Sequence, residues 1–166
     1  MNNIQLLRVI TFVIILLFNF SCDHKVAGIK KDLATGLTTS YKGIEPSKAF
    51  MIMNDEVINH TDIPLGEQFL VINDGIAGLV TKNGKVKVGC YLKIADRSGA
   101  ILLEEKDLFA ANDEFPEEQA RLLKCTVSTG KPMKWEEDYY VTVSFWDKQG
   151  RGRIDNTVTI KTIDIP

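Results

Sequence analysis

KVKVGCYLKIAD, residues 85–96, alternates along its whole length. Val86, Val88, Cys90, Leu92 and Ile94 fall on one side of an extended chain, while Lys85, Lys87, Tyr91 and Lys93 fall on the other. A period of two marks a strand with one face buried and one face wet, as in an antiparallel sheet. DYYVTVSFWD, residues 138–147, repeats the pattern: Tyr139, Val141, Val143 and Phe145 share one face, opposite Tyr140, Thr142, Ser144 and Trp146. Its outer face is partly aromatic, which suits either a covered layer or a sticky one.

Weaker alternation places further strands at residues 37–44, 49–53, 68–72, 100–104, 122–129 and 157–163. Asn83-Gly84, inside TKNGK, is the two-residue hairpin signal, because both residues accept positive φ; it predicts a hairpin from a strand ending near Val80 into the one at Lys85. KIADRSG (93–99) and SFWDKQG (144–150) end their strands alike, with Asp at the first turn position and Gly at the fourth. Between them, Pro116 with Glu117 and Glu118 reads as a short helix start or an acidic loop. About eight short strands and at most one brief helix predict an all-β fold: an antiparallel, immunoglobulin-like β-sandwich, with a small β-barrel as the alternative.

The N-terminal segment has a different character. Residues 9–20 are apolar except for Thr11 and Asn19, and Arg8 is the one charge ahead of them. A membrane-crossing helix needs about 20 apolar residues, and a run of 10 to 14 fits the core of an export signal, here a signal helix over residues 1–21. LLFNFSCDHK (16–25) then puts Cys22 directly after the greasy run, with the small residue Ser21 before it and Asp23 after it. The pattern resembles a bacterial lipobox, with Asn19 and Phe20 departing from its commonest form, and boxes of this kind followed by an acid resemble lipoproteins of the Bacteroidota. The resemblance covers the first 25 or so residues. It implies cleavage before Cys22, a diacylglyceryl thioether on its sulfur, and a protein tied by lipid to the extracytoplasmic side of the cell envelope, at the outer membrane. Residues 22–36 then read as the lipidated cysteine and a tether, and 37–166 as one domain.

Removing that segment leaves about 145 residues, enough for one core, and loss of Arg8 moves the net charge from −2 to −3. A mildly acidic chain without a basic run has no electrostatic footprint for nucleic acid. Cys90 and Cys125 both sit at inward strand positions. They read either as a disulfide across the sandwich, formed in an oxidising compartment, or as two buried thiols, and they lack the spacing of an immunoglobulin bridge.

Chemical motifs are sparse. His24 and His60 are the only histidines, so neither zinc nor a nucleophile–base pair has enough partners, and no metal or cofactor is expected. Asp96 and Asp147 suit turn capping better than shared calcium. No pair of the 22 acids is singled out for hydrolysis, although a small carboxylate-based hydrolase is a third alternative. Tyr91, Trp135, Tyr140 and Trp146, at outward or loop positions, form the candidate binding surface. The resulting expectation is a non-catalytic binding or scaffolding module that meets the membrane through Cys22 and an envelope protein or glycan through its surface. A structural subunit of an envelope complex is the alternative.

Overall fold

A computed structural model describes residues 26–164; the signal helix and Cys22 lie outside the described residues. In chain order the strands are Ala27–Lys31 (β1), Thr38–Lys42 (β2), Lys48–Met53 (β3), Glu56–Val57 (β4), Asp62–Pro64 (β5) and Gln68–Asp74 (β6). They continue with Lys85–Asp96 (β7), Ile101–Glu105 (β8), Glu114–Pro116 (β9), Leu122–Ser128 (β10), Asp138–Asp147 (β11) and Arg153–Ile163 (β12).

Two sheets pack face to face. The larger runs β1-β2-β12-β11-β7-β8, with β5 added in parallel to β12 and β9 paired to β7; the smaller runs β10-β6-β3-β4. Setting β12-β11-β7-β8 against β10-β6-β3 reproduces the strand order of an immunoglobulin-type sandwich. The barrel alternative does not apply, because among the described residues the two sheets share no strand pairing. Tyr139, at the start of β11, accepts the Lys134 backbone N–H at 2.7 Å on its hydroxyl, the brace of a tyrosine corner.

The alternation read from residues 85–96 and 138–147 is the core itself. Val86, Val88, Cys90, Val143 and Phe145 are fully enclosed, and Phe69, Val71 and Val127 face them from the smaller sheet. Polar residues also cross the interior. Asn156 on β12 and Asn73 on β6 exchange amide hydrogen bonds of 2.7 and 3.0 Å between the sheets; Thr39 donates to Asn156 at 2.8 Å, and Asn156 donates to the Val143 carbonyl at 3.2 Å.

Several elements depart from the sequence reading. Residues 27–31, read as tether, form edge strand β1. Lys30 holds it there, donating to Glu45 at 3.1 Å and lying 5.1 Å from the Tyr41 ring centre, while Tyr41 packs where a Cβ on Gly28 would stand. β6 runs two residues past Ile72 and β12 begins four before Thr157, because the Asn73–Asn156 pairing lets polar residues remain in strands. Asn83 and Gly84 do adopt positive φ, but only an isolated Lys82–Lys85 bridge precedes β7, and residues 76–81 are not a strand. Pro116 ends β9 and opens no α-helix; a single 3-10 turn, Gln119–Arg121, follows and buries Ala120.

The long connection from β8 to β9 is tied down by charge. Asp107 accepts from Lys148 at 2.6 Å and from the backbone N–H groups of Cys90 and Phe109 at 3.1 and 3.0 Å, and Lys148 also reaches Asp113 at 3.0 Å. Burial alone would raise the Asp107 pKa, but Lys148 and the two amides outweigh it and hold the carboxyl below its ordinary value of 3.8. A depressed folded pKa contributes stability above the unfolded value and loses it as pH falls through the folded one. Urea midpoints measured between neutral pH and pH 3 should therefore fall on acidification, and Asp107→Asn should flatten that fall while lowering the neutral-pH midpoint. An unchanged slope in the variant would show that other carboxylates govern the acid limb.

Candidate binding cleft and outer sheet face

The outward residues of β7, β11 and β12 define the exposed face of the larger sheet. Trp146 lies flat on Gly89, its register partner; a Cβ there would come within 2.1 Å of the indole. Glycine at that position is required by the close approach of the ring. Beside it Ser144, fully buried, donates to Asp155 at 2.6 Å, and Arg153 donates to the same oxygen at 2.8 Å. Tyr91 pairs with Ser144 in register and donates to Glu104 at 2.8 Å; burial and that acceptor push its hydroxyl above the usual tyrosine range.

The four aromatics singled out by sequence do not form one surface. Tyr91 and Trp146 belong to this packed cross-strand cluster, as the ordinary sheet-stabilising role would have it. Tyr140 lies six residues along β11 from Trp146, about 20 Å at strand rise, and is 47% exposed. Trp135, in the loop before β11, is 63% exposed at that same far end, where Glu136 N–H bonds the Thr162 carbonyl.

At the Trp146 end the sheet opens into a cleft of about 1100 Å³. Its walls come from β1, the end of β2, the start of β12, the 147–152 turn and the segment around Gly78 to Val80. Two features of backbone geometry bring these pieces together. Gly78, at φ +91°, lies where a Cβ would stand 2.8 Å from the Gly43 carbonyl. Asp147, buried, accepts the Val80 N–H at 2.8 Å on one oxygen and the N–H groups of Gln149 and Gly150 on the other.

Charge in the cleft is unbalanced. Lys42 and Arg153 are direct cross-strand partners on the outward face, a like-charge juxtaposition that opposes pairing, and Arg151 projects from the adjacent turn. Arg153 has Asp155 as its partner; Lys42 and Arg151 have no carboxylate within ion-pair distance among the described residues. Val26, Ile29 and Val80 form an apolar rim, 45, 74 and 39% exposed. No single stretch of sequence carries this site. Its parts come from four separated segments, and the only local hint is the RGR of residues 151–153.

Asp96 caps its own turn as Asp147 does, accepting Ser98 N–H at 2.8 Å and Ala100 N–H at 3.0 Å; Ser98, first through its hydroxyl, holds the carboxyl below its usual range. Asp96 aligns with Tyr139 and Asp147 with Val88, so the two carboxylates sit at opposite ends of the sheet, about 25 Å apart at strand rise, and cannot share an ion. Among the described residues no three of His, Cys, Asp or Glu converge as metal ligands, and His60 is exposed in a loop. Cys90 on β7 and Cys125 on β10 face one another from the two sheets as free, buried thiols. The hydrogen bond to Cys125 and burial push the Cys90 thiol far above the usual range.

No family model matches the sequence, and no curated protein matches it. Among solved structures, the chain is similar to the C-terminal domain of wzt, known from a crystal structure, with a TM-score of 0.50 and 9% sequence identity over 87% of this chain and 81% of that one. At that identity the likeness is one of fold: both are β-domains.

Proposed function

We propose that this chain is a membrane-anchored, extracytoplasmic lipoprotein of the cell envelope, placed at the outer membrane, that acts as a binding module without catalysis. The observation that carries the reading is Cys22, which ends an apolar run of export-signal length and stands four residues ahead of the described chain, itself a sandwich strand almost from its first residue. The cleft supports a binding role. Its two carboxylates, Asp147 and Asp155, are committed to a backbone turn and to Arg153 with Ser144, so neither is poised to move a proton, while exposed cations and an apolar rim suit holding a ligand.

The test is palmitate labelling of cells expressing the chain or Cys22→Ala. Two or three acyl chains hold effectively for good, so the native chain should be labelled and stay with membranes through high salt, and Cys22→Ala should lose the label. Equal labelling of the two would remove the anchor. The second reading, a subunit of an envelope complex that could include a protein or glycan partner, is favoured by β10. Among the described residues that strand pairs with β6 alone and leaves a seven-residue outer edge, with Leu122, Lys124, Thr126 and Ser128 exposed.

A further inference from the structure

The cleft sits where the chain enters the sandwich. Val26 and Ala27, in its wall, follow Cys22 by four and five residues. A fully extended chain advances at most about 3.6 Å per residue, so the cleft lies within about 18 Å of the Cys22 sulfur's backbone. Trp135 and Tyr140 stand at the opposite end of β11 and β12, Tyr140 about 20 Å further along at strand rise.

The composition of the cleft is that of a membrane-interface surface. Val26, Ile29 and Val80 present exposed apolar side chains, and Lys42, Arg151 and Arg153 present cations beside them, two of the three without an acid. Apolar groups that enter the headgroup–acyl boundary, flanked by cations that meet phosphate, are the physical requirements for surface binding. A like-charged cross-strand pair such as Lys42 and Arg153 costs stability by itself and is relieved by an anion between its members.

We infer that this cleft docks onto the anionic phospholipid headgroups of the membrane that carries the chain, taking a headgroup phosphate between Lys42, Arg151 and Arg153 with Val26, Ile29 and Val80 at the acyl boundary. The inference deepens the anchored reading and rests on it for the position of the membrane. Docking orients the domain: β1 and the cleft face the bilayer, and the end bearing Trp135 and Tyr140 points away, free for a partner.

The test uses the full chain in neutral detergent micelles doped with phosphatidylglycerol or with phosphatidylcholine, a trace of each carrying a headgroup nitroxide, with amide line broadening read by NMR. Amides of residues 27–29, 78–80 and 151–153 should broaden with phosphatidylglycerol and much less with phosphatidylcholine, while those of 135–138 stay sharp in both. Lys42→Gln with Arg151→Gln, both exposed and outside the fold's ion pairs, should shift the docked-to-undocked equilibrium of the tethered domain roughly 30-fold toward undocked and bring the broadening to the phosphatidylcholine level, with the rest of the spectrum reporting an intact fold.

Cleft amides that stay sharp, or that broaden equally with both lipids, would overturn the inference. So would a response to a soluble uronic-acid oligosaccharide alone, which would assign the cations to a glycan. The mass of the same sample reports lipid on Cys22, which separates the two claims. Lipid present with an unresponsive cleft leaves the anchor and removes the docking; a responsive cleft without lipid does the reverse.

Discussion

Phe145→Ala should lower the free energy of unfolding by about 3–5 kcal/mol, the range for deleting an enclosed aromatic ring. Phe145 is wholly buried near the C-terminal end of β11, between its register partners Cys90 on β7 and Ile154 on β12. Its ring lies 6.2 Å from that of Phe109, which in turn meets Phe115 edge-on at 5.5 Å. Truncation therefore does more than remove transfer energy from one strand: it withdraws the surface against which the β8–β9 connection packs. The site has little freedom to collapse, because β11 is a central strand paired on both sides along its length. With an m-value of about 2 kcal/mol/M, the urea midpoint should fall by roughly 2 M, and Phe145→Leu should recover much of the loss. A midpoint within about 0.3 M of wild type would show that the interior repacks and that the aromatic chain is not what ties the connection down.

Asn156→Leu is the second large effect expected, about 2–4 kcal/mol, and its cause is opposite in kind. The side chain is replaced by one of similar volume and greater apolarity, yet stability should fall. Asn156 uses its full hydrogen-bonding capacity, accepting from Thr39 and Asn73 and donating to Asn73 and Val143, at no more than 1% exposure. Leucine leaves the Asn73 amide and the Thr39 hydroxyl buried without partners, each at a cost of about 1–3 kcal/mol. Adding Asn73→Leu removes the larger of the two orphans, so the double variant should be more stable than the single one. Such a sign of coupling identifies the loss as desolvation and not cavity formation. A double variant as weak as the sum of its parts would contradict the account. The pair also joins β6 to β12 in a single register, since sliding either strand by two residues would part the amides.

These two residues mark what was legible. Phe145 is readable from DYYVTVSFWD, where alternation puts it inward, and the same rule places Val86, Val88, Cys90, Leu92 and Ile94 correctly. Asn156 is not readable that way: RIDN looks like a loop, because Asp and Asn disfavour strands until a partner is supplied. That partner is 83 residues away, on the other sheet. Likewise AGIKK, too polar and small to announce a strand, becomes β1 only because Tyr41, Glu45 and the open edge of β2 are waiting for it. Gly89 sits in the alternation as an unremarkable gap; its necessity appears only when Trp146 is seen lying across it.

The candidate site was the least legible part. Outward aromatics in two strong strands suggested a platform, but sharing a face is not sharing a patch: Trp146 and Tyr140 are six residues apart on one strand, about 20 Å at strand rise, and only the structure shows Trp146 packed over Gly89 beside Tyr91 while Tyr140 stands exposed at the other end. The cleft that does form draws Lys42, Val80 and Arg153 from segments that meet only when β2 and β12 pair and the Gly78 segment closes over them.

Sequence by itself determined the period of two, hence the sheets and which side chains enter the core, and it determined the turns at Asp96 and Asp147, because both are set by interactions within a few residues. Tertiary structure alone decided the strand order, the buried Asn73–Asn156 link, the recruitment of residues 27–31 as an edge and the gathering of unpaired cations in one cleft. The physical reason is range: alternation and turn capping are local and repeat along the chain, whereas satisfying a buried amide or crowding two cations depends on residues that only the packed sandwich brings together.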